Sequence, residues 1–262
     1  MKFTQDLGIV AYGTALPRLA IAATEIETAQ NRVGDGVPHS LGVSQKTVPE
    51  IDEDTTTLST AAAYQALSRW EGDKQEIQAL FIGSESHPYA VKPTGTMVKA
   101  ALGLSETMAL ADLQFACKAG TQGLQIGASY VASGMAPAAL AIGADTAQSR
   151  PGDVLEFTAG AGAAAYVLGT SQILVKLLAT TSVATDTPDF WRRPGQDYPE
   201  HAGRFSGEPG YFYHVKAATQ NLLSEVGLQP VDIEWCVFHT PNAKFPQTVA
   251  KQLGFTPEQL AP

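Results

Sequence analysis

The chain predicts an α/β fold of parallel strands joined by right-handed crossovers, with helices on both faces. Three observations carry that expectation. Short apolar runs alternate with stretches of helical periodicity along the sequence, as βαβ units require. Of the 262 residues, 44% are hydrophobic and only 16% charged, enough for a large buried sheet. The 24 glycines let backbone approach backbone at turns and beneath helices.

Taken in order, Leu7–Tyr12 (LGIVAY) reads as a strand stopped by Gly13 and Pro17. Thr55–Trp70 is Ala-rich with apolar positions at helical spacing, and Asp54 and Thr55 are candidate caps. Ala79–Gly83 is a short buried strand, Thr94–Leu102 a helix and Ala109–Phe115 a strand. Lys118–Ser133 is a helix of small residues, followed by strands at Ala138–Gly143 and Gly162–Leu168. After Gly169 the pattern restarts: a strand from Ile173–Ala179, a helix at Tyr213–Val226, a strand at Glu234–Phe238 and a helix at Phe245–Leu253. Two rounds of this kind suggest a structural duplication, with residues 1–171 as a first half and 172–262 as the start of a second. The long loops Asn31–Glu53 and Thr185–Gly210 are expected to serve as lids or binding walls.

Composition narrows the function. With 17 Lys and Arg against 26 Asp and Glu, the net charge is −9, so a nucleic-acid footprint is excluded and any anionic ligand must meet locally placed bases. Two cysteines, Cys117 and Cys236, rule out a disulfide scaffold. Met1–Gly8 is too polar for a signal peptide, and apolar stretches such as Ala136–Ala144 are too short to span a bilayer. These features predict a soluble protein of the reducing cytoplasm. Ligands at metal spacing are too few, so no metal is expected, and P-loop, dinucleotide and G-x-S-x-G signatures are missing from the sequence.

Three strand exits could carry chemistry. Cys117 lies between a strand and a helix in FACKAGT, where helix amides, the dipole and Lys118 would favour a thiolate and could hold an oxyanion. A buried structural thiol is the other reading. Glu85 follows ALFIG, at the strand end where α/β sheets place ligands, and suits a general base; it could equally cap the helix near Thr94. His87, before Pro88, reads as a loop-packing residue. His239 ends EWCVF and could donate to a carbonyl, with Lys244 nearby for a phosphate. Cys236, within that strand, should be core.

GSESHPYAVKPT, FACKAGT and FHTPNAKFP, with PDFWRR and GRFSGEPGYF between the last two, resemble archaeal-type 3-hydroxy-3-methylglutaryl-CoA (HMG-CoA) synthases of the thiolase superfamily. DEDTTTLS and GADTAQSRPGDVLEFTAGAG extend the resemblance from Gly8 to the end of the chain. It implies a thiolase-like duplicated fold, layered α-β-α-β-α, whose second half is incomplete at the C-terminus. It also implies Cys117 as the acyl acceptor, Glu85 as general acid/base and His239 on the acetoacetyl carbonyl. Thr158, Arg204, Ser206 and Lys244 match substrate or CoA contacts. NAKFP stands where the family has NGKFP, and Thr248 lies where a basic residue is common.

The activity implied is condensation of acetyl-CoA with acetoacetyl-CoA to give HMG-CoA and CoA, a mevalonate-pathway step needing no cofactor. The implied partners are a second copy of the chain, acetoacetyl-CoA thiolase and a small zinc-ribbon acyl-CoA-binding protein. Two alternatives stand beside it: a synthase of the ketoacyl-ACP synthase III or β-branching type, acting on carrier-bound acyl groups, or a non-catalytic subunit of a thiolase or synthase complex. From length, the 262-residue chain alone is expected to be a poor synthase that still acetylates.

Overall fold

The computed structural model describes residues 1–261. The chain opens with β1 (Gly8–Ala15), β2 (Leu19–Ala22), α1 (Ala23–Ala29), α2 (Val37–Leu41) and β3 (Gln45–Val48). Then come α3 (Thr55–Arg69), β4 (Ile77–Gly83), α4 (Thr94–Leu102), β5 (Ala109–Leu113) and α5 (Ala119–Ala132). β6 (Ala138–Thr146), β7 (Ala161–Gly169) and the two-residue β8 (Val175–Lys176) complete the main sheet. Beyond it lie β9 (Phe190–Trp191), β10 (Glu200–His201), α6 (Phe212–Val226) and α7 (Lys244–Leu253).

Six strands form one sheet in the order β5-β4-β6-β7-β1-β8. β5, β4 and β6 run parallel, whereas β7 is antiparallel to both β6 and β1. The all-parallel expectation is therefore corrected. β6 and β7 are joined through a loop on one end of the sheet without a covering helix, so the chain returns antiparallel. The strand expected from Ile173 shrinks to β8, which extends the β1 edge of this sheet.

α3 forms because Asp54 caps it: its carboxylate accepts from the Thr57 amide at 2.8 Å, and Thr57 Oγ1 accepts from the Asp54 amide at 2.8 Å. Leu58, Ala62 and Ala66 then share one buried stripe and pack on Val10, Leu80, Ile82, Leu140 and Val167. On the opposite face, Ala128 and Val131 of α5 pack on Ala79, Phe81, Ala139 and Ala141. Leu80, Ile82, Leu140 and Ile142 are fully buried, each stabilising by about 1.5–3 kcal/mol.

The segment Glu234–Phe238 is not a strand. Its ladder is a single bridge, Cys236 to Leu260, and Trp235 and Val237 are exposed. A run of four apolar residues is present there, Trp235–Phe238, but without flanking strands it remains irregular. Cys236 is nevertheless buried, against Ala250 and Phe255.

Candidate active site

β5, β4 and β6 point their C-terminal ends the same way, and each delivers a functional group there. Past β5, the chain turns sharply at Ala116, whose φ of 43° is left-handed and costs about 1–2 kcal/mol for a residue with a Cβ. That turn sets Cys117 two residues before α5, and Lys118 gives the helix no side-chain cap. The Ala119 amide bonds the Ala116 carbonyl at 3.0 Å, while among the described residues the Gly120 and Thr121 amides bond no side chain, which suits them to an oxyanion.

Glu85 follows β4 and meets Cys117: the thiol donates to Glu85 Oε1 at 3.3 Å. Asp145, at the end of β6, fixes the loop that carries Glu85. Its Oδ1 accepts from the Glu85 amide at 2.7 Å, from Ser84 Oγ at 2.9 Å and from Ser86 Oγ at 2.9 Å. Arg192, just past β9, donates from Nη2 to the Glu85 carbonyl at 3.2 Å. The sequence reading singles out neither Asp145 nor Arg192. Asp145 carries a signal, a carboxylate at the exit of a strand parallel to β4; Arg192 carries none.

Electrostatics corrects the thiolate expectation. Burial pushes the Cys117 thiol up to about 12, and the Glu85 charge, the hydrogen bond to it and Asp145 push the same way. Water reaches Cys117 from the open side, so the carboxylates are the firmer part of that effect. Lys118 does not offset them; its ammonium turns to Gln122 and lies over the Phe115 ring. Glu85 is raised above the ordinary carboxylate range by burial and by Asp145, against the Cys117 hydrogen bond and Arg192. The resting pair is therefore a thiol hydrogen-bonded to a carboxylate.

Other expected residues lie in distinct places. Glu85 does not cap α4; Asp112 does, accepting from the Gly95 amide at 3.0 Å. His87 is a packing residue, bonded to Thr94 Oγ1 at 2.8 Å. His239 stands on the loop before α7, and among the described residues its imidazole bonds neither Cys117 nor Glu85. Burial pushes it below its ordinary value. Its carbonyl accepts from the Tyr211 hydroxyl at 2.8 Å, and that phenol, raised to about 12 by burial, stays a donor. Tyr211→Phe is expected to lower Tm by about 2–4 °C, a loss of about 1 kcal/mol from an unsatisfied carbonyl; a thermal melt checks it.

A cleft of ≈ 400 Å³ is lined by Cys117, Thr121, Leu124, Gly143, Asp145 and Tyr166. A second cavity of ≈ 330 Å³ joins Lys46, Thr47 and Thr158 to Thr240 and Asn242, just past His239. Lys244, two residues past Asn242, reaches Ser40 Oγ at 3.5 Å. Ser206 donates to the Asp189 carbonyl at 3.2 Å, and Arg204 is exposed over the Phe205 ring. The sites thus fall into a Cys117–Glu85 group and a group around Thr158 and the His239 loop.

Residues 111–186 match the family described as 3-oxoacyl-[acyl-carrier-protein (ACP)] synthase III. The chain is 49% identical over 259 residues to the hydroxymethylglutaryl-CoA synthase of Methanopyrus kandleri, covering 99% of this chain and 74% of the relative. The Methanocaldococcus jannaschii protein of the same name is 51% identical over 252 residues, covering 96% of this chain and 73% of that one. Among solved structures, 3-oxoacyl-(acyl carrier protein) synthase III from Pseudomonas aeruginosa superposes with a TM-score of 0.87 at 21% identity, over 98% of this chain and 83% of the other. MvaS in complex with 3-hydroxy-3-methylglutaryl coenzyme A gives 0.85 at 25% identity, over 95% of this chain and 63% of the other. The fold is thiolase-like. About half the residues are shared with named synthases over nearly the entire chain, and the chain belongs to the hydroxymethylglutaryl-CoA synthase family.

Proposed function

We propose that the chain joins acetyl-CoA to acetoacetyl-CoA through an acetyl-Cys117 intermediate, giving HMG-CoA and CoA. The 3.3 Å contact between the Cys117 thiol and Glu85 carries this reading, because it pairs a nucleophile with a base able to take its proton. As sulfur attacks the acetyl thioester, its proton passes to Glu85. The bond to the CoA sulfur breaks and CoA leaves with that proton, restoring the carboxylate. The N-terminal amides of α5 hold the oxyanion.

Glu85 next removes a methyl proton from acetyl-Cys117, and the resulting carbanion attacks the ketone carbon of acetoacetyl-CoA. His239, whose pKa burial lowers, donates a hydrogen bond to the ketone oxygen, and the alkoxide formed takes the proton held by Glu85, restoring the carboxylate. Water then cleaves the thioester and returns the Cys117 thiol. Thr158, in the wall of the cavity next to the His239 loop, is proposed to hold the acyl-CoA together with Lys244, Ser206 and Arg204. The free edge of β5 supports a homo-oligomer, since an unpaired strand edge invites pairing.

A second reading, a carrier-protein-bound acyl donor, is favoured by the synthase III match of residues 111–186. Mixing the protein with acetyl-CoA, and separately with an acetylated carrier protein, separates them by intact mass and peptide mapping. The expected result is an acetyl group on Cys117 from acetyl-CoA, none on Cys236, and HMG-CoA on adding acetoacetyl-CoA. Folded protein that leaves Cys117 unlabelled with either donor overturns the nucleophile.

A further inference from the structure

The PDFWRR segment holds two adjacent arginines, and the mechanism above gives neither a task. We propose that Arg192 is a positioning residue for Glu85: the β9–β10 hairpin brings its guanidinium onto the Glu85 backbone and sets a positive charge against the Glu85–Asp145 carboxylates. The inference rests on the function proposed for Glu85.

The contact spans 107 positions of sequence, and the hairpin that makes it is tied down on several sides. The Ala202 amide and Ser206 Oγ both donate to the Asp189 carbonyl, at 2.9 and 3.2 Å. Beside these contacts, on β10 itself, His201 Nε2 lies 3.3 Å from Asp153 and Arg150 lies 3.8 Å from Glu200. Arg192 is thus presented by a braced element. Three groups face Glu85 from the elements around it: Asp145 from β6, Cys117 from the turn before α5, and Arg192 from the hairpin. Asp145 raises the carboxylate, while Cys117 and Arg192 lower it. A cation beside a base that faces a second carboxylate favours the ionised form of that base. Arg193 differs: it is engaged through its amide, 2.8 Å from Gln196 Oε1, and among the described residues its guanidinium bonds nothing.

The test compares Arg192→Ala, Arg192→Lys and Arg193→Ala in the full chain. The Glu85 carboxyl is titrated by carbon NMR, which needs no turnover, and the pH profile of HMG-CoA formation is measured beside it. Loss of the cation favours the neutral acid, so Arg192→Ala should raise the Glu85 midpoint by about 0.5–1 pH unit, the modest size expected of an exposed charge. The acid limb of the profile should move up with it. Arg192→Lys should restore the midpoint and only part of the rate, since an ammonium lacks the planar fork. Arg193→Ala should match the parent in both. An unmoved midpoint in folded Arg192→Ala protein overturns the inference. A parent chain that never acetylates Cys117 overturns the functional reading instead, and the titration still decides the role of Arg192.

Discussion

In Glu85→Ala protein, acetyl-CoA is expected to label Cys117 while exchange of the acetyl methyl hydrogens with solvent falls by ~10²–10⁴-fold, the usual share of a general base. The two steps separate because Glu85 acts on them in opposite ways. It accepts the thiol proton, yet its charge and hydrogen bond also hold the thiol up. Removing it costs the base but makes the thiolate easier to form, so acyl transfer is largely kept. No such offset exists at carbon, where among the described residues Glu85 is the carboxylate that bonds the sulfur, at 3.3 Å. Deuterium uptake into the acetylated Cys117 peptide reads the second step and mass labelling the first. Equal loss of both would make Glu85 a structural residue.

Gly83→Ala is expected to be more disruptive than its size suggests. A Cβ at Gly83 would press into the Ala119 carbonyl group and the Gly120 amide, backbone atoms that cannot rotate away. Gly120 is in turn held close to β6, where its own Cβ would stand 3.0 Å from Gly143 Cα. Overpacking of this kind costs about 3 kcal/mol, and so a Tm fall of about 6–12 °C. The helix start that presents Cys117 moves with it, and acetylation should fall too. Gly123→Ala on the same helix is the contrast: its Cβ would meet Phe81 Cβ at 3.3 Å while gaining helix propensity. Melts of the two variants, differing by less than about 2 °C, would show that α5 can slide and that the close approach is not fixed.

Much of the first sheet is legible in the amino-acid sequence. α4 spans the expected Thr94–Leu102, and α3 and α5 end within a residue or two of expectation, because capping and apolar spacing are local properties. Cys117 and Glu85 are legible for a related reason, as each sits one or two positions beyond an apolar run. Direction and partnership are not. LGIVAY looks the same whether its neighbour runs parallel or antiparallel, and EWCVF is a short apolar run like that of a strand although Cys236 finds only one bridge. Asp145 and Arg192 reach Glu85 across 60 and 107 positions, distances over which a single sequence holds no trace of contact. The thiolate expectation fails for the same reason: the helix end beside Cys117 is local, whereas the burial that chiefly raises the thiol, and the two carboxylates that add to it, come from other parts of the chain.

The position of β4 between β5 and β6 also has a consequence in time. Both hydrogen-bonding edges of this strand are occupied, and Leu80 and Ile82 are fully buried, so their amides should be among the last to take up deuterium, opening only with the whole fold. β9 and β10, two residues each, should exchange early. Glu85 lies two residues past the slow strand, and Arg192 one residue past a fast one. The base is therefore held on a platform that persists for the lifetime of the folded state, while its cation is kept in place by the side-chain and loop contacts that brace a two-strand hairpin and not by the main sheet.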